Sequence, residues 1–393
     1  MSTIESITNC GISGVTDFHQ LWDLPALPLT ERFGPYAPDK PLTFDQELII
    51  SLPTGHVQLR NQLAPKILYS SSEYAFRTAG SSNSRNGVDF FLAKLKEFTA
   101  GRIFESAVDV GGNDLFVARG LVASAKHTAV IDPICATLDG EIIDGIKVFG
   151  RFVEDVDLSS DLPSPDLVVS RHTLEHIANP RLVIDQWFRE CDPDCLYVVE
   201  IPCFENLVES MRFDAIFHQH FHYYDLSAFK HLIWECGGEY LSHTFNHQGS
   251  CGGALIVTFQ RAKTVQPKPH IDLDARISRL EKRIAQYKAQ MVLMGELLNE
   301  MPKPVYGYGA SLMLATLGYH LGTDFSTLDC VLDDDPQQDG ATYENIAVTV
   351  KHTGKAAPPP NSSYIITSLE NIRPIYRRIS ELSPRRILVP LVN

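Results

Sequence analysis

Three histidines occur at alternate positions within residues 217–222, which read Phe-His-Gln-His-Phe-His. An imidazole among aromatic side chains is suited to general-base catalysis, because its pKa lies near the pH of the cell. On an extended backbone, His218, His220 and His222 would share one face and could bind a metal ion. No cluster of cysteines or carboxylates nearby completes a metal shell, so the pattern favours proton transfer. A buried polar cluster without catalytic function is the third interpretation.

A second stretch, residues 106–114, places an acid, two glycines and a polar pair between a strand-like run and a helix start. Such a turn lets a ligand approach bare backbone at a helix N-terminus. Counted from Gly111, the dinucleotide pattern Gly-x-Gly-x-x-Gly would need glycines at Asn113 and Phe116, so the set is incomplete. Asp132 follows about twenty residues later, where an acid can accept hydrogen bonds from ribose hydroxyls. The glycines and this acid together predict a nucleoside-binding edge.

Two cofactors compete for that edge, a nicotinamide dinucleotide and S-adenosylmethionine. Acids at the turn would repel a pyrophosphate, but they suit the amino group and sulfonium of S-adenosylmethionine. The residues therefore favour S-adenosylmethionine. The candidate cofactor-binding residues are Asp109, Gly111, Gly112, Asn113, Asp114, Asp132 and Arg171.

The elements that must position these residues alternate between strand and helix. Strand-like runs cover residues 107–110, 127–131, 147–149, 166–170 and 196–201, and helical patterns cover 87–99, 115–124 and 180–190. This order predicts a parallel, doubly wound α/β sheet with helices on both faces. Strand carboxyl ends line the ligand crevice of such sheets, so residues 171–176 should face the ligand.

The flanking regions differ from this core. Residues 1–85 are rich in Pro, Ser and Thr with short strand-like runs, which predicts a small, loop-rich module. Within it, the polar and aromatic residues 69–78 are either a domain linker or a lid over the active site. An amphipathic helix is predicted between Leu273 and Met301. Beyond it, a second α/β unit begins at residues 305–309. The predicted boundaries are 1–85, 86–262, 263–301 and 302–393.

Net charge, apolar runs and cysteine positions limit the kinds of partner and the compartment we expect. The net charge of −14 would repel a nucleic-acid backbone. The sequence contains no run of about 18 apolar residues, so it predicts no membrane span. The first residues lack the basic-then-apolar order of a secretory signal. The eight cysteines are scattered along the chain, which fits a reducing compartment. We therefore expect a cytoplasmic monomer or homodimer that acts on a small molecule and uses neither nucleic acid nor membrane.

An ordered set of motifs resembles the sugar C-methyltransferase family, whose members use S-adenosylmethionine to methylate nucleotide-linked keto-deoxysugars at carbon 3. The set comprises residues 108–114, 173–176, 199–202 and 213–220, followed by 252–257, 305–310, 331–336 and 387–391. The resemblance implies a Rossmann-like class I methyltransferase core, a small N-terminal module and a C-terminal α/β domain that helps to hold the nucleotide-sugar.

Two departures from the family pattern are informative. The family's N-terminal module usually has two Cys-x2-Cys pairs that hold zinc, whereas the matching positions here are Cys10, Ser13, Ser51 and Thr54. Hydroxyls are poor replacements for thiolates, so we expect no zinc and no other metal. The family's Tyr-His-Glu-His stands here as Phe-His-Gln-His at residues 217–220, which removes a phenol and a carboxylate.

By this resemblance, His220 is the general base of a C-methylation, and His176 and Tyr74 donate hydrogen bonds to the enolate oxygen or to neighbouring hydroxyls. Two alternatives stay open: an O- or N-methyltransferase acting on a related sugar or small molecule, and a non-catalytic protein that retains the fold. The candidate substrate-binding residues are His218, Gln219, Tyr224, Gly307, Tyr308, Gly309 and Asp333.

Overall fold

The computed structural model describes residues 4–30, 33–37, 39, 42–68, 82–247 and 252–391. The strands are β1 (Ile4–Ser6), β2 (Phe18–Pro28), β3 (Thr43–Ser51), β4 (Val57–Leu59), β5 (Asn61–Leu63), β6 (Phe104–Val110), β7 (Ala125–Ile131), β8 (Ile142–Ile143), β9 (Ile146–Phe149), β10 (Leu167–Arg171), β11 (Leu196–Pro202), β12 (His222–Tyr223), β13 (Gly238–Asn246), β14 (Ala254–Arg261), β15 (Val305–Tyr308), β16 (Val331–Asp333), β17 (Thr342–Tyr343), β18 (Ile346–His352), β19 (Ser363–Ile366) and β20 (Arg386–Leu388). The helices are α1 (Pro65–Leu68), α2 (Ser82–Phe98), α3 (Phe116–Leu121), α4 (Leu158–Asp161), α5 (Pro180–Glu190), α6 (Phe204–Glu209), α7 (Leu226–Glu235), α8 (Leu273–Asn299), α9 (Leu314–Leu321) and α10 (Ile372–Ser380).

The central sheet has eight strands in the order β13-β14-β11-β10-β6-β7-β9-β8. Strands β9, β7, β6, β10 and β11 run parallel, and β14 is antiparallel to both β11 and β13. This confirms the predicted Rossmann-like α/β core. The chain order reverses between β6 and β10, which is where ligands bind in open sheets of this kind.

A second sheet, β12-β4-β3-β2, contains most of the N-terminal strands. The expectation of short runs here was wrong, because β2 and β3 have 11 and 9 residues. Their pairing is interrupted by register shifts between Gln20 and Trp22 and between Leu24 and Leu27, which breaks the two-residue alternation that would signal a long strand. The fourth strand, β12, comes from the region of the histidines, so this sheet is built from two distant parts of the chain.

The three alternate histidines are not on one extended face. Residues 213–215 form a short 3-10 turn, residues 218–219 form a second turn, and strand structure begins at His222. His218 bonds to Leu27 O, His220 packs against His176, and His222 bonds to His56, so the rings point to three different places. A metal site made of these three side chains is therefore ruled out by the backbone conformation.

The C-terminal unit is a six-stranded sheet with the order β17-β18-β16-β15-β19-β20. The 27-residue helix α8 precedes it and buries one face, including Leu280, Ile284, Tyr287 and Met291. These residues belong to one hydrophobic core together with residues of the N-terminal sheet and the C-terminal unit. In the described part of the chain, no helix is long and apolar enough to cross a membrane.

Candidate active site

The glycine-rich turn leaves β6 at the point where the strand order reverses. Gly111 has a φ of +81°, and a Cβ built there would lie 1.8 Å from Thr173 Oγ1, just after β10. At Gly112 a Cβ would lie 2.7 Å from Asp109 Oδ2. Both glycines are therefore required by close packing, and the turn exposes backbone to the crevice.

Further along the turn, the chain adopts left-handed backbone without glycine. Asn113 has a φ of 40° and Leu115, which precedes helix α3, a φ of 62°. Leucine rarely occupies this region, so its conformation is held by the burial of its side chain with Ala118, Val130 and Ile146. The structure thus explains why the turn works with an incomplete glycine set.

Asp132 ties the end of β7 to this turn. Its Oδ2 accepts a hydrogen bond from Asn113 N at 2.8 Å, and its Oδ1 accepts one from Ile134 N at 2.9 Å. Burial raises the pKa of Asp132, although these two backbone bonds oppose the rise. Each oxygen retains acceptor capacity, which a ribose hydroxyl could use.

Asp109 is the most unusual acid of the site. It is buried, and neither of its carboxylate oxygens has a hydrogen-bond partner in the described part of the chain. Burial, reinforced by the nearby Asp132, raises the pKa of Asp109 to about 7. An unpaired buried carboxylate is costly, so this acid fits a ligand that brings a cationic group. The amino group and sulfonium of S-adenosylmethionine are such groups.

A cavity of about 1920 Å³ joins this turn to the C-terminal unit. The C-terminal wall includes Ser311, Leu312, Met313, Thr367 and Glu370. Of the residues predicted from the sequence, those lining the cavity are Asp109, Gly111, Gly112, Asn113, Asp114, Asp132, Arg171, His176 and His220. The predicted cofactor residues and both described catalytic candidates therefore share one space. Tyr74 and the possible lid of residues 69–78 lie outside the described residues.

His176 and His220 meet at the wall of this cavity. Their rings are edge to face, with centroids 4.7 Å apart, and Phe217 packs on His220 at 4.2 Å. Burial and the neighbouring His176 lower the pKa of His220 to about 3, and burial also lowers the pKa of His176. Both rings are therefore neutral at physiological pH and able to accept a proton.

Glu175 faces this histidine pair from the short turn after β10. It is 1% exposed, and its Oε1 lies 3.9 Å from His176 Nε2 and 3.4 Å from His172 Nδ1. Burial would raise the pKa of Glu175, but the facing histidines lower it to about 2, so the group is ionised. The ligand atoms of Glu175, His176 and His220 lie within 4.8 Å of one another, a spacing that an ion could bridge. We assign no metal, since no fourth His, Cys, Asp or Glu of the described chain joins the group.

A buried charged network lies behind Glu175. Glu200 is fully buried, and its Oε1 lies 3.1 Å from Arg171 Nε and 3.2 Å from His172 Nε2. Burial lowers the pKa of His172, but its contacts with Glu175 and Glu200 outweigh burial and raise it. Asn246 donates to Glu200 as well. His172, with a φ of 51°, is thus fixed between two carboxylates.

The structure places His218, Gln219 and Tyr224 away from the cavity lining. His218 Nε2 lies 3.0 Å from Leu27 O, and Gln219 donates to Thr30 O, so both join the histidine loop to the N-terminal sheet. Tyr224 is buried against His56 and Phe229, and burial raises its pKa well above the usual value.

The predicted C-terminal candidates also lie outside the cavity lining. A Cβ at Gly307 would meet Val331, and one at Gly309 would meet Ser368, so these glycines allow close packing within the unit. Asp333 accepts a hydrogen bond from Ala310 N, and Tyr308 donates to Asp334. Ser311, Leu312 and Met313, which follow strand β15, line the cavity instead.

One buried group of ion pairs that lines the cavity was not predicted from the sequence. Arg212 donates to both carboxylate oxygens of Asp214 at 2.8 and 3.0 Å, and to Glu370 of the C-terminal unit at 2.9 Å. A local signal did exist, since Arg212 and Asp214 are two residues apart. The contact with Glu370 spans 158 positions and had no signal in the sequence.

The positions that correspond to the family's zinc ligands come together in part. Cys10 Sγ lies 3.7 Å from Thr54 Oγ1, and the side-chain oxygens of Ser13 and Ser51 are buried without hydrogen-bond partners in the described chain. Cys10 supplies the one thiol among the four. The loss of zinc stays a prediction.

Comparison with known proteins agrees with this geometry. Residues 79–243 match the family model described as "Methyltransferase domain". The match covers less than half of the chain and supports methyltransferase chemistry for this stretch. Its cofactor is S-adenosylmethionine, as the acids of the turn predicted. A curated relative, the C-methyltransferase NovU of Streptomyces niveus, is 23% identical over 265 residues, which cover 65% of this chain and 61% of that protein.

Solved structures give partial matches to the chain. The N-methyltransferase NodS of Bradyrhizobium japonicum WM9 is 14% identical, with a TM-score of 0.34 over 46% of this chain and 97% of that one. The 1,6-didemethyltoxoflavin-N1-methyltransferase of Burkholderia thailandensis is 11% identical, with a TM-score of 0.38 over 56% of this chain and 96% of that one.

Proposed function

We propose that the protein transfers a methyl group from S-adenosylmethionine to a carbon next to a ketone of a nucleotide-activated deoxysugar. The observation that carries the proposal is that His220 and the turn at Gly111 line one cavity. The motif resemblance and the name of the relative from Streptomyces niveus support carbon as the methylated atom. The C-terminal wall of the cavity supports an acceptor that extends beyond a single sugar ring.

The chain's own residues have separate tasks in this reaction. Asp132 would hold the ribose, and Asp109 would pair with the amino group or sulfonium of the cofactor. When bound, S-adenosylmethionine supplies an electrophilic methyl group. A ketone acidifies the neighbouring C–H bond, and the neutral His220 would remove that proton so that the enolate carbon attacks the methyl group in line.

The surroundings of His220 decide when it can act as the base. Burial and the neighbouring His176 keep the ring neutral, so its lone pair can accept a proton, and Phe217 packs on the ring. A pKa of about 3 makes the ring a weak base, and the negative charge of the enolate developing beside it would raise that pKa. Phe217 and Gln219 replace the family's phenol and carboxylate, and the titratable groups that act on His220 are His176, Glu175 and His172. The reaction therefore depends on few side chains, which makes it directly testable.

Two variants separate binding from chemistry. We expect Asp132→Ala to lose S-adenosylmethionine binding by calorimetry, because it removes the acceptor for the ribose. We expect His220→Ala to retain that binding and to lose roughly 10²–10⁴-fold in turnover, the usual contribution of a general base. His127→Ala, an exposed histidine on β7, is the control and should change neither. Full turnover in His220→Ala would contradict the proposal.

Hydrogen exchange distinguishes carbon methylation from its alternatives. In D2O without methyl donor, keto-deoxysugars linked to a nucleotide should take up deuterium at the carbon next to the ketone, and His220→Ala should abolish this uptake. Mass spectrometry measures both the deuterium and the methylated product. Methylation without exchange would instead indicate an oxygen or nitrogen nucleophile. A protein without affinity for S-adenosylmethionine would be a non-catalytic member of the fold.

A further inference from the structure

The protonation of His176 follows from one backbone contact. Its Nδ1 lies 2.8 Å from Gln219 O, and a carbonyl oxygen only accepts hydrogen bonds. The proton of the neutral ring must therefore be on Nδ1, which leaves Nε2 with a lone pair. In this state His176 cannot donate a hydrogen bond from Nε2, the role expected from the sequence, but it can accept a proton there.

Glu175 makes that acceptance favourable. Its Oε1 is 3.9 Å from His176 Nε2 and 3.4 Å from His172 Nδ1, so it lies between the two rings. A proton on Nε2 would give this buried carboxylate a second cationic partner beside His172. Glu175 thus stabilises the doubly protonated form of His176 against the burial that lowers its pKa.

We propose that His176 is the second proton acceptor of the active site, which takes from His220 the proton removed from the acceptor sugar, with Glu175 as the counter-ion. This inference rests on the proposed function and extends it. The carbon-bound proton moves to His220, and the electrons of the C–H bond remain in the enolate that attacks the methyl group. The proton then passes from His220 to His176 Nε2, directly or through one water, and His220 returns to its neutral state.

The geometry of the two rings supports the transfer. The ring centroids are 4.7 Å apart with an interplanar angle of 78°, so an edge of one ring faces the other. One nitrogen of each ring lies within 4.8 Å of the other, a distance that one water molecule or a modest rotation would span. His220, whose pKa is about 3, holds a proton weakly and gives it up readily to a more basic group.

The charged groups that face His176 are consistent with this direction of transfer. Burial lowers the pKa of His176, but Glu175 and Asp132 both favour its protonated form, and His172 opposes it. By contrast, His220 has a single favourable carboxylate, Glu175, against two neighbouring histidines. His172 acts as a positioning residue, since it contacts Glu175 through Nδ1 and is itself held by Glu200 through Nε2.

The test is a tautomer measurement that needs no substrate. In the full-length protein labelled with ¹⁵N-histidine, we expect the His176 signal near neutral pH to show a protonated Nδ1 and an unprotonated Nε2. Its assignment comes from the signal that disappears in His176→Gln. If the neutral His176 ring of the wild-type protein is protonated at Nε2 instead, the proposal is wrong, and this result does not depend on any variant.

A charge-removing variant tests the counter-ion. Glu175→Gln should lower the pKa of His176 by at least about one unit, as expected for the loss of a carboxylate within about 4–6 Å. Glu154→Gln, an exposed carboxylate on the same cavity, is the matched control and should leave the His176 titration unchanged. An unchanged titration in folded Glu175→Gln would refute the counter-ion role. If that variant does not fold, Glu175→Asp, which keeps the charge, should retain the wild-type titration.

The activity readout separates this inference from the proposed function. Both His176→Gln and Glu175→Gln should still exchange deuterium into the acceptor, because His220 is intact, but with turnover reduced about tenfold or more. Unchanged turnover in both variants would leave His220 as the sole proton acceptor and refute the relay. Absence of exchange in the wild-type protein, with the expected tautomer, would refute the C-methylation and not the assignment of His176.

Discussion

At the scale of single residues, Asp109 has the clearest thermodynamic consequence. Its pKa of about 7 in the folded protein compares with about 4 for an exposed aspartate. Between these values the unfolded chain has lost the proton and the folded chain still binds it, so stability falls as pH rises. Above pH 7 the penalty is constant. The difference of about three pH units corresponds to roughly 4 kcal/mol of lost stability.

This gives a prediction for Asp109→Asn. Without cofactor, the variant should unfold at a higher temperature than the wild type at pH 8, and the advantage should disappear near pH 4. With S-adenosylmethionine, the order should reverse at pH 8, because the variant loses the partner for the cofactor's cationic groups. Thermal unfolding with and without cofactor measures both effects. Asp89→Asn, an exposed acid of α2 away from the cavity, is the control. An equal advantage at both pH values would contradict the prediction.

At the scale of elements, the contact between helices α8 and α9 includes a glycine at very close approach. A Cβ at Gly295, in the last turns of α8, would lie 2.1 Å from Leu321 O at the end of α9. Leu321 O is a backbone atom and cannot turn aside as the end of a side chain could. The close contact between the helices therefore depends on the absence of a Cβ at residue 295. The helix that links the core to the C-terminal unit is thereby fixed in its position along α9.

Gly295→Ala should therefore destabilise the protein, although alanine normally stabilises a helix by up to about 1 kcal/mol. We expect a net loss of roughly 1–3 kcal/mol from overpacking. Gly120→Ala in α3 is the matched control. There the new Cβ would meet Leu92 Cδ1, the end of a flexible side chain that can turn aside, so the unfolding temperature should change little. Equal unfolding temperatures for the two variants would count against this reading of the helix contact.

The sequence predicted elements well where one local signal was strong. Helix α5 has the predicted bounds, because Pro180 starts it and apolar residues recur at helical spacing. Strand β2 was missed, since its two bulges and its prolines disturb the alternation. The turns of the histidine loop had no signal in the sequence, because the loop is held by contacts with Leu27, Gln46 and Thr30, 172 to 191 positions away. Distant pairing of this kind leaves no local pattern.

The same limit applies to the site. Glycines and acids near β6 and β7 marked the cofactor side, because strand ends in a parallel sheet converge predictably. The acceptor side depends on how the C-terminal unit docks, so Gly307 and Tyr308 were named whereas Ser311 to Met313 reach the cavity. Glu175 was within the residues 171–176 predicted to face the ligand, but its burial between His172 and His176 becomes visible only in the folded protein.

At the scale of the whole molecule, one aromatic cluster joins all three regions. Trp22 of the N-terminal sheet packs edge to face on Phe213 of the histidine loop and on Tyr287 of α8, at 6.1 and 5.9 Å. It also contacts His320 of α9 at 5.4 Å. The regions are therefore packed through a shared core rather than connected by linkers alone.

Trp22→Ala should accordingly destabilise the molecule as a unit, by about 3–5 kcal/mol, the usual cost of removing a buried tryptophan. We expect the N-terminal sheet, α8 and the C-terminal unit to become sensitive to protease together. Trp234→Ala, at a half-buried tryptophan outside this core, should cost less and leave the protease pattern unchanged. Release of the N-terminal sheet alone would show that the three regions unfold independently.

The pairing of β12 with β4 also restricts how this protein can be recombined with its relatives. His222 and Tyr223 bond to Gln58 and Val57, so the loop with His220 ends in a strand of the N-terminal sheet. A chimera that exchanges the methyltransferase sheet alone would separate that loop from its partner strand. Crossover points that keep residues 4–63 and 204–224 from one parent would preserve the acceptor wall, while the segment of β6 and β7 could come from another.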